Sequence, residues 1–132
     1  MDQDVLVRDE IEAGAELVRR FNERTPLSAA FWAKASDEGT WFLFLASDQF
    51  EASVRGEAYG EVTRLAREMN HPSFDPFHIK LIGTSNPLAK ATLDIYRRYA
   101  SILPTRLGPH YLGNEMMEGV YIYPEPATQP TA

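Results

Sequence analysis

Apolar residues recur every three or four positions in three stretches of this chain, which is the spacing of one helix face. The first stretch covers residues 4–23 and ends before Pro26, because the residue preceding a proline avoids helical backbone angles. The second covers residues 48–69 and opens with an acid-x-x-Glu capping box. The third covers residues 86–103, starts at an Asn-Pro pair suited to a helix N-terminus, and stops before Pro104. We therefore predict three helices.

Two apolar stretches, residues 27–36 and 40–47, follow the first predicted helix and are separated by a short turn that ends in Gly39. A short loop closing on glycine is typical of a hairpin with a left-handed bulge residue. The segment Trp41–Ala46 is apolar at every position, which predicts that both its faces are buried and that it is a central strand. The first stretch contains polar residues such as Lys34, so we predict it on the edge side of the hairpin.

Two more strands are predicted nearer the C-terminus, an alternating one over residues 77–82 and an apolar one over residues 120–123. The element order is α-β-β-α-β-α-β, and the helices between the later strands are long enough for crossovers joining parallel strands. We therefore expect one α+β domain over residues 1–124, a mixed four-stranded sheet with helices packed on it. Residues 125–132 lack periodicity and are rich in proline, which predicts a disordered C-terminal tail.

The composition supports a soluble domain with one core, since 44% of the residues are apolar and 24% are charged. The chain has no cysteine, which excludes disulfides, thiolate catalysis, iron–sulfur clusters and cysteine-based zinc sites. No apolar run approaches the roughly 18 residues that a membrane span requires, and the acidic N-terminal residues have the wrong sign for a signal peptide. We expect a cytoplasmic protein with no membrane contact.

The net charge of −6, from 19 acidic and 13 basic residues, argues against a nucleic-acid partner. An acidic protein gains nothing from counterion release at a phosphate backbone, and the chain has no basic stripe interleaved with aromatic residues. The balance reverses between residues 86 and 111, where four basic residues accompany a single acid: Lys90, Arg97, Arg98 and Arg106, with Asp94. This basic stretch overlaps a segment rich in glycine and proline.

That segment, residues 102–113, contains the strongest candidate for a ligand site. Its two glycines and two prolines predict an irregular but fixed backbone, and three of its side chains are hydrogen-bond donors: Arg106, His110 and Tyr111. Together with Arg98 from the end of the third helix, these donors suit a phosphate or a carboxylate. The competing interpretation is a rigid connector in which Arg106 forms a salt bridge with an acid and Tyr111 packs against the protein.

Patterns typical of catalysis are missing. The chain has no dinucleotide-binding or phosphate-binding glycine loop, no nucleophile elbow and no pair of histidines spaced for a metal, so we predict no catalytic residue, metal or cofactor. His78 and Lys80 match the start of a phosphodiesterase pattern, but Ser85 occupies its acidic position, and we interpret the pair as the polar face of a strand. Ser47 and Asp48 follow the central strand, where α/β sheets bind ligands, but we favour a helix-capping role for them.

Trp32 and Trp41 lie on opposite strands of the predicted hairpin, where they form either an exposed aromatic surface or part of the core. Two functional hypotheses remain. The first is a small non-enzymatic module that binds another protein or forms a homo-oligomer. The alternative is an anion-binding or hydrolytic domain that uses Arg106 and His110. A cleft containing Arg106 would favour the alternative, whereas an exposed apolar patch would favour the interaction module.

Overall fold

A computed structural model describes residues 8–35, 39–51, 55–69, 78–99, 105–107, 109–113 and 115–123. These residues form three α-helices, α1 (Arg8–Asn22), α2 (Arg55–Met69) and α3 (Pro87–Tyr99), and a 3-10 turn, Asp48–Glu51. They also form six strands: β1 (Ala29–Ala35), β2 (Trp41–Ala46), β3 (Ile79–Ile82), β4 (Thr105–Leu107), β5 (His110–Leu112) and β6 (Glu115–Ile122). The predicted tail and the first seven residues lie outside the described part of the chain.

All six strands belong to one mixed sheet with the order β3-β2-β1-β6-β4, and β5 also pairs with β6. The pairs β1–β2 and β1–β6 are antiparallel, while β2 and β3 are parallel and are connected through α2. The α+β class and the mixed sheet agree with the prediction. The predicted count of four strands is wrong, because two short strands, β4 and β5, arise within the segment expected to be an irregular loop.

The structure also corrects the place of two strands. β1 was expected at the edge but lies between β2 and β6, and six of its seven residues are buried. The last strand was expected to run parallel to its neighbour, but β6 returns antiparallel to β1, with Phe31 opposite Ile122. The parallel expectation therefore holds for β2 and β3 alone among the described strands. β2 is internal as predicted, although Phe42 at its start is half-buried rather than buried.

Helices cover both faces of the sheet. On one face α1 and α2 pack over the side chains of a first core cluster: Ala13, Leu17, Phe21, Ala30, Trp32, Leu43, Leu45, Val62, Leu65, Ile79 and Leu81, among others. On the other face α3 packs over a second cluster: Phe31, Ala33, Phe44, Ala46, Ile82, Leu88, Ala89, Leu112, Met117, Val120 and Ile122, among others. Alternate residues of β1 and β2 enter opposite clusters, which explains why these strands are apolar at nearly every position.

The predicted start of α3 and the predicted hairpin turn are confirmed by local geometry. The Asn86 side-chain oxygen accepts a hydrogen bond from the Leu88 N–H at 2.8 Å, which caps α3. Gly39 has φ of 68°, the left-handed conformation expected after the hairpin turn. The second helix is divided, with the 3-10 turn first and α2 afterwards. Gly56 and Gly60 of α2 are exposed, and neither has a neighbouring atom within 4 Å of its Cβ position.

A buried hydrogen-bonded contact fixes α1 to the sheet. The Tyr123 hydroxyl accepts from the Trp32 indole N–H at 2.8 Å and donates to the Ile11 carbonyl oxygen of α1 at 2.5 Å. Gly14, one turn further along α1, leaves the space that this hydroxyl occupies. Burial raises the pKa of Tyr123 well above its usual value, so the hydroxyl stays protonated and keeps its proton for Ile11.

Candidate functional site

The described residues of the segment proposed as an anion-binding loop, 105–107 and 109–113, belong to a β-ribbon. β4 pairs Thr105, Arg106 and Leu107 with Ile122, Tyr121 and Val120 of β6, and β5 continues the same register along β6 to Leu112 opposite Glu115. Gly113, which directly follows β5, has φ of 65°, the left-handed conformation common in tight hairpin turns. Pro109 separates β4 from β5 because proline offers no N–H to the ladder. The expected irregular backbone is therefore wrong for residues 105–107 and 110–112, while residues 102–104 lie outside the described part of the chain.

The four candidate residues occupy different positions. Arg106 lies in β4 opposite Tyr121 and His110 in β5 opposite Met117, and the side chains of both lie outside the described part of the structure. Arg98 lies on the exposed side of α3, where its guanidinium forms an ion pair with Asp94 at 3.2 Å. The same carboxylate also binds Arg97 at 3.4 Å, so one acid partly neutralises the predicted basic stretch.

Tyr111 is exposed at the tip of the ribbon and is paired across the strands with Met116. Tyr111 is 66% exposed and Met116 is 39% exposed, whereas their sequence neighbours Leu112 and Met117 are 0% and 1% exposed. This contrast follows from the alternation of side chains along a strand, which sends one set into the core and the other outward. The ribbon tip, defined here as Tyr111, Met116 and the turn at Gly113, therefore presents two large apolar side chains to solvent.

The ribbon tip is held in place by α3. Gly113 lies against Pro87 so closely that a Cβ at Gly113 would be 3.0 Å from the Pro87 carbonyl oxygen. On the buried side of the ribbon, Leu112 enters the core cluster beneath α3. A cleft of about 290 Å³ opens beside this contact and is lined by Asn86, Pro87, Leu88 and Glu115. Packing against α3 and the core thus holds the backbone of Tyr111 and Met116 in place.

Two acidic residues of β6 lie near the ribbon tip, on opposite faces of the ribbon. Glu115 and Glu118, both in β6, are exposed on either side of Met116 in the sequence. Glu118 forms an ion pair with Lys34 of β1 at 3.2 Å, while Glu115 lines the cleft next to Pro87. Glu115 therefore lies on the Leu112 face of the ribbon, toward α3, and not on the face that carries Tyr111 and Met116.

The remaining sequence candidates have structural roles. The Lys80 ammonium lies 4.2 Å from the centre of the Phe42 ring, and the His78 ring packs edge-on against the same ring at 5.4 Å. Ser47 accepts a hydrogen bond from the Gln49 N–H at 3.1 Å, so it caps the 3-10 turn as favoured. These contacts give His78, Lys80 and Ser47 structural roles that require no ligand.

Trp32 is buried and Trp41 is half-buried over Gly119, so packing is the correct interpretation for both, and the exposed aromatic hairpin surface is wrong. Across the described residues, no three His, Asp or Glu side chains come close enough together to hold a metal ion. Nor does any helix in this part of the chain have the length and apolar character needed to span a membrane.

The chain matches no family model, no curated protein and no solved structure. Support for a function of this chain therefore comes from its own structure. Met116 is the most important candidate binding residue that the hydrophobic pattern did not identify. The Gly-Asn pair after Leu112 is a sequence signature of a two-residue hairpin loop. Such a hairpin places Met116 opposite Tyr111, which hydrophobic periodicity alone does not indicate.

Proposed function

We propose that this protein is a small non-enzymatic interaction module that binds another protein through the ribbon tip. One observation carries the proposal: Tyr111 and Met116 are exposed side by side at the ribbon tip. Among the described residues, the one other large apolar side chain classed as exposed is Tyr59. The Tyr59 hydroxyl is already engaged, since it accepts a hydrogen bond from the Leu81 N–H at 3.0 Å.

The chemistry of the pair fits protein recognition. Tyrosine and methionine are enriched in protein interfaces, tyrosine as a rigid anchor and methionine as a polarisable side chain that adapts to its partner. The fixed backbone of the ribbon tip lowers the ordering cost of binding, because the two side chains already stand on paired strands held against α3. Two residues make a small contact area, so we expect a transient complex rather than a permanent one.

Charge favours a different protein over a second copy as the partner. The whole chain has a net charge of −6, and Glu118, the acid two residues from Met116, is already paired with Lys34. A symmetric dimer through the ribbon tip would bring together two chains of the same net charge, which costs free energy. The expected partner offers an apolar pocket with lysine or arginine side chains at its rim.

The anion-binding alternative has less support. Two of the arginines that were expected to supply its positive charge, Arg97 and Arg98, are engaged by Asp94. The geometry of the remaining candidates, Arg106 and His110, is fixed at the level of the backbone, in two strands separated by Pro109. This hypothesis keeps a test of its own, given in the Discussion.

Site-specific photo-cross-linking tests the interaction module. A benzophenone-bearing phenylalanine analogue replaces Tyr111 in cells that make the protein naturally, and the adducts are separated by mass and identified. The same analogue at Arg97, an exposed position on α3, is the matched control. We expect a discrete adduct with one other protein from position 111 and none from position 97. Adding Met116→Asp to the labelled protein should abolish the adduct.

Three outcomes contradict the proposal. Equal adducts from positions 111 and 97 would show non-specific contact with the surface. An adduct that survives Met116→Asp would show that the exposed pair is not the binding element. An adduct at twice the mass of the chain, with no other protein attached, would favour a homo-oligomer instead.

A further inference from the structure

The sheet has two outer edges, and β3 forms one of them. The strand order is β3-β2-β1-β6-β4, so among the described strands β3 is paired on one side only, with β2. A strand in this position presents a row of backbone N–H and C=O groups to any chain that can extend the sheet. The opposite edge consists of the three-residue strands β4 and β5, which Pro109 separates, and such short strands offer little to a new neighbour.

The hydrogen bonds of β3 show which of its backbone groups face outward. The Ile82 carbonyl oxygen accepts from the Ser47 N–H at 3.2 Å, so the backbone groups of Ile82 point toward β2 and the residue that follows it. Successive residues of a strand turn their backbone groups to opposite sides. The backbone groups of Leu81 and of Ile79 therefore point to the outer edge of the sheet.

A side chain from α2 already occupies this edge. The Leu81 N–H donates to the hydroxyl oxygen of Tyr59 at 3.0 Å. α2 is the crossover helix between β2 and β3, and its buried residue Val62 packs in the core cluster that also contains Leu81. Tyr59 extends from this helix to the edge and stays partly open to solvent, with 38% of its surface exposed. Its hydroxyl oxygen takes the position at which the carbonyl oxygen of an added strand would bind.

The residues of β3 itself do little to discourage such pairing. Edge strands are often protected by a lysine whose charge extends outward. In β3 the Lys80 ammonium instead turns back over β2, where it lies 4.2 Å from the centre of the Phe42 ring. The strand is apolar on both faces, since Ile79 and Leu81 are buried in one core cluster and Ile82 in the other. An apolar edge of this kind tends to pair with a copy of itself.

We propose that Tyr59 is an autoinhibitory cap, whose hydroxyl takes the place of a neighbouring strand at β3 and keeps the chain from pairing edge to edge with a second copy. Without the cap, the Leu81 N–H of each copy donates to a backbone carbonyl of β3 in the other. Antiparallel pairing about a two-fold axis satisfies both copies with the same residues. Four residues per strand make a small interface, so this dimer forms only at high protein concentration.

Two variants separate the contribution of the hydroxyl from that of the ring. Tyr59→Phe keeps the ring and removes the hydroxyl, so the Leu81 amide of dilute protein should exchange with deuterium about five- to tenfold faster, as expected for one lost hydrogen bond. Tyr59→Ala also uncovers the strand and should dimerise in sedimentation equilibrium at concentrations at which the parent does not. Tyr59→Phe should dimerise more weakly, because its ring still lies beside the strand.

Glu57→Ala is the matched control. Glu57 is also exposed on α2, but residues two positions apart on a helix do not share a side, so its loss leaves the β3 edge covered. We expect this variant to exchange at Leu81 and to sediment as the parent does.

Hydrogen exchange also locates the new contact. In Tyr59→Ala, exchange at Leu81 should slow again as the protein concentration rises, because a carbonyl of the second copy then accepts the same N–H. The proposal is overturned if neither Tyr59 variant dimerises more than Glu57→Ala, or if Tyr59→Phe leaves the exchange at Leu81 unchanged. Dimers that form without renewed protection of Leu81 would overturn it as well, since they would use another surface.

Discussion

Replacing Gly14 by alanine is expected to destabilise the protein, although alanine is the better helix former. A Cβ at Gly14 would overlap the Tyr123 hydroxyl and lie 3.1 Å from the Trp32 indole nitrogen. Tyr123 is 5% exposed and Trp32 is 3% exposed, so neither side chain has open space into which it can move. The added methyl group must therefore push α1 away from the sheet or break the hydrogen bonds of the Tyr123 hydroxyl.

The magnitude follows from opposing contributions. Helix propensity favours alanine over glycine by about 1 kcal/mol. Overpacking a close-fitted site costs about 1–3 kcal/mol, and each hydrogen bond of the Tyr123 hydroxyl that is lost costs about 0.5–1.5 kcal/mol. The balance is a loss of about 2 kcal/mol in the free energy of unfolding. Gly60→Ala in α2 is the matched control, because no atom lies within 4 Å of its Cβ position and only the gain of about 1 kcal/mol applies.

Urea unfolding of the two variants measures this difference, and a double variant tests its cause. Tyr123→Phe removes the hydroxyl that the new methyl group would strike, so Gly14→Ala should cost about 1 kcal/mol less in that background than in the parent. A Gly14→Ala variant that is stabilised as much as Gly60→Ala would contradict the predicted clash with the Tyr123 hydroxyl. An equal cost of Gly14→Ala with and without the Tyr123 hydroxyl would contradict it as well.

Three further predictions concern the core, the charged helix surface and the basic stretch. Phe44→Ala should cost about 3–5 kcal/mol in urea unfolding, since the ring is buried and stacked on Phe31 at 5.1 Å, and parental stability would contradict this. Hydrogen bonds from Arg20 and a neighbouring arginine lower the pKa of Glu16, so its carboxylate stabilises the fold above its ordinary pKa and loses that effect as the pH falls through the lowered value. Glu16→Gln should therefore be less stable than the parent at neutral pH and converge with it in acid, and a constant difference would oppose the assignment. If Arg106 binds an anion, thermal shifts of the parent with phosphates or carboxylates should disappear in Arg106→Ala, whereas a parent without shifts leaves the segment as a connector.

Local signals in the sequence predicted the local structure well. The Asn-Pro start of α3, the glycine at the hairpin turn and the apolar run of β2 each depend on neighbouring residues and on one rule of backbone geometry or burial. Asn86 can cap a helix only through N–H groups a few residues away, and the structure contains that bond. The helical faces follow in the same way, since Val62, Leu65 and Ala66 of α2 are all buried.

Local signals did not predict which strands pair when those strands are far apart in the sequence. β1 is internal because β6 pairs with it from about 90 residues away, with Trp32 opposite Tyr121, and no periodicity within β1 encodes that neighbour. The ribbon was missed because glycine and proline were taken as marks of irregular backbone, whereas Pro109 merely divides one ladder into two strands of three residues. The exposure of Tyr111 and Met116 could be deduced only once the pairing of β5 with β6 was known.

The affinity of the cross-linked partner for purified variants tests the central proposal most directly. Isothermal titration would compare the parent with Tyr111→Ala and with Arg97→Ala, an exposed residue away from the ribbon tip. A buried tyrosine anchor typically contributes about 2 kcal/mol or more, so Tyr111→Ala should weaken binding roughly thirtyfold, while Arg97→Ala should bind as the parent does. If Tyr111→Ala keeps the parental affinity, the ribbon tip is not the binding surface and the proposed function is wrong.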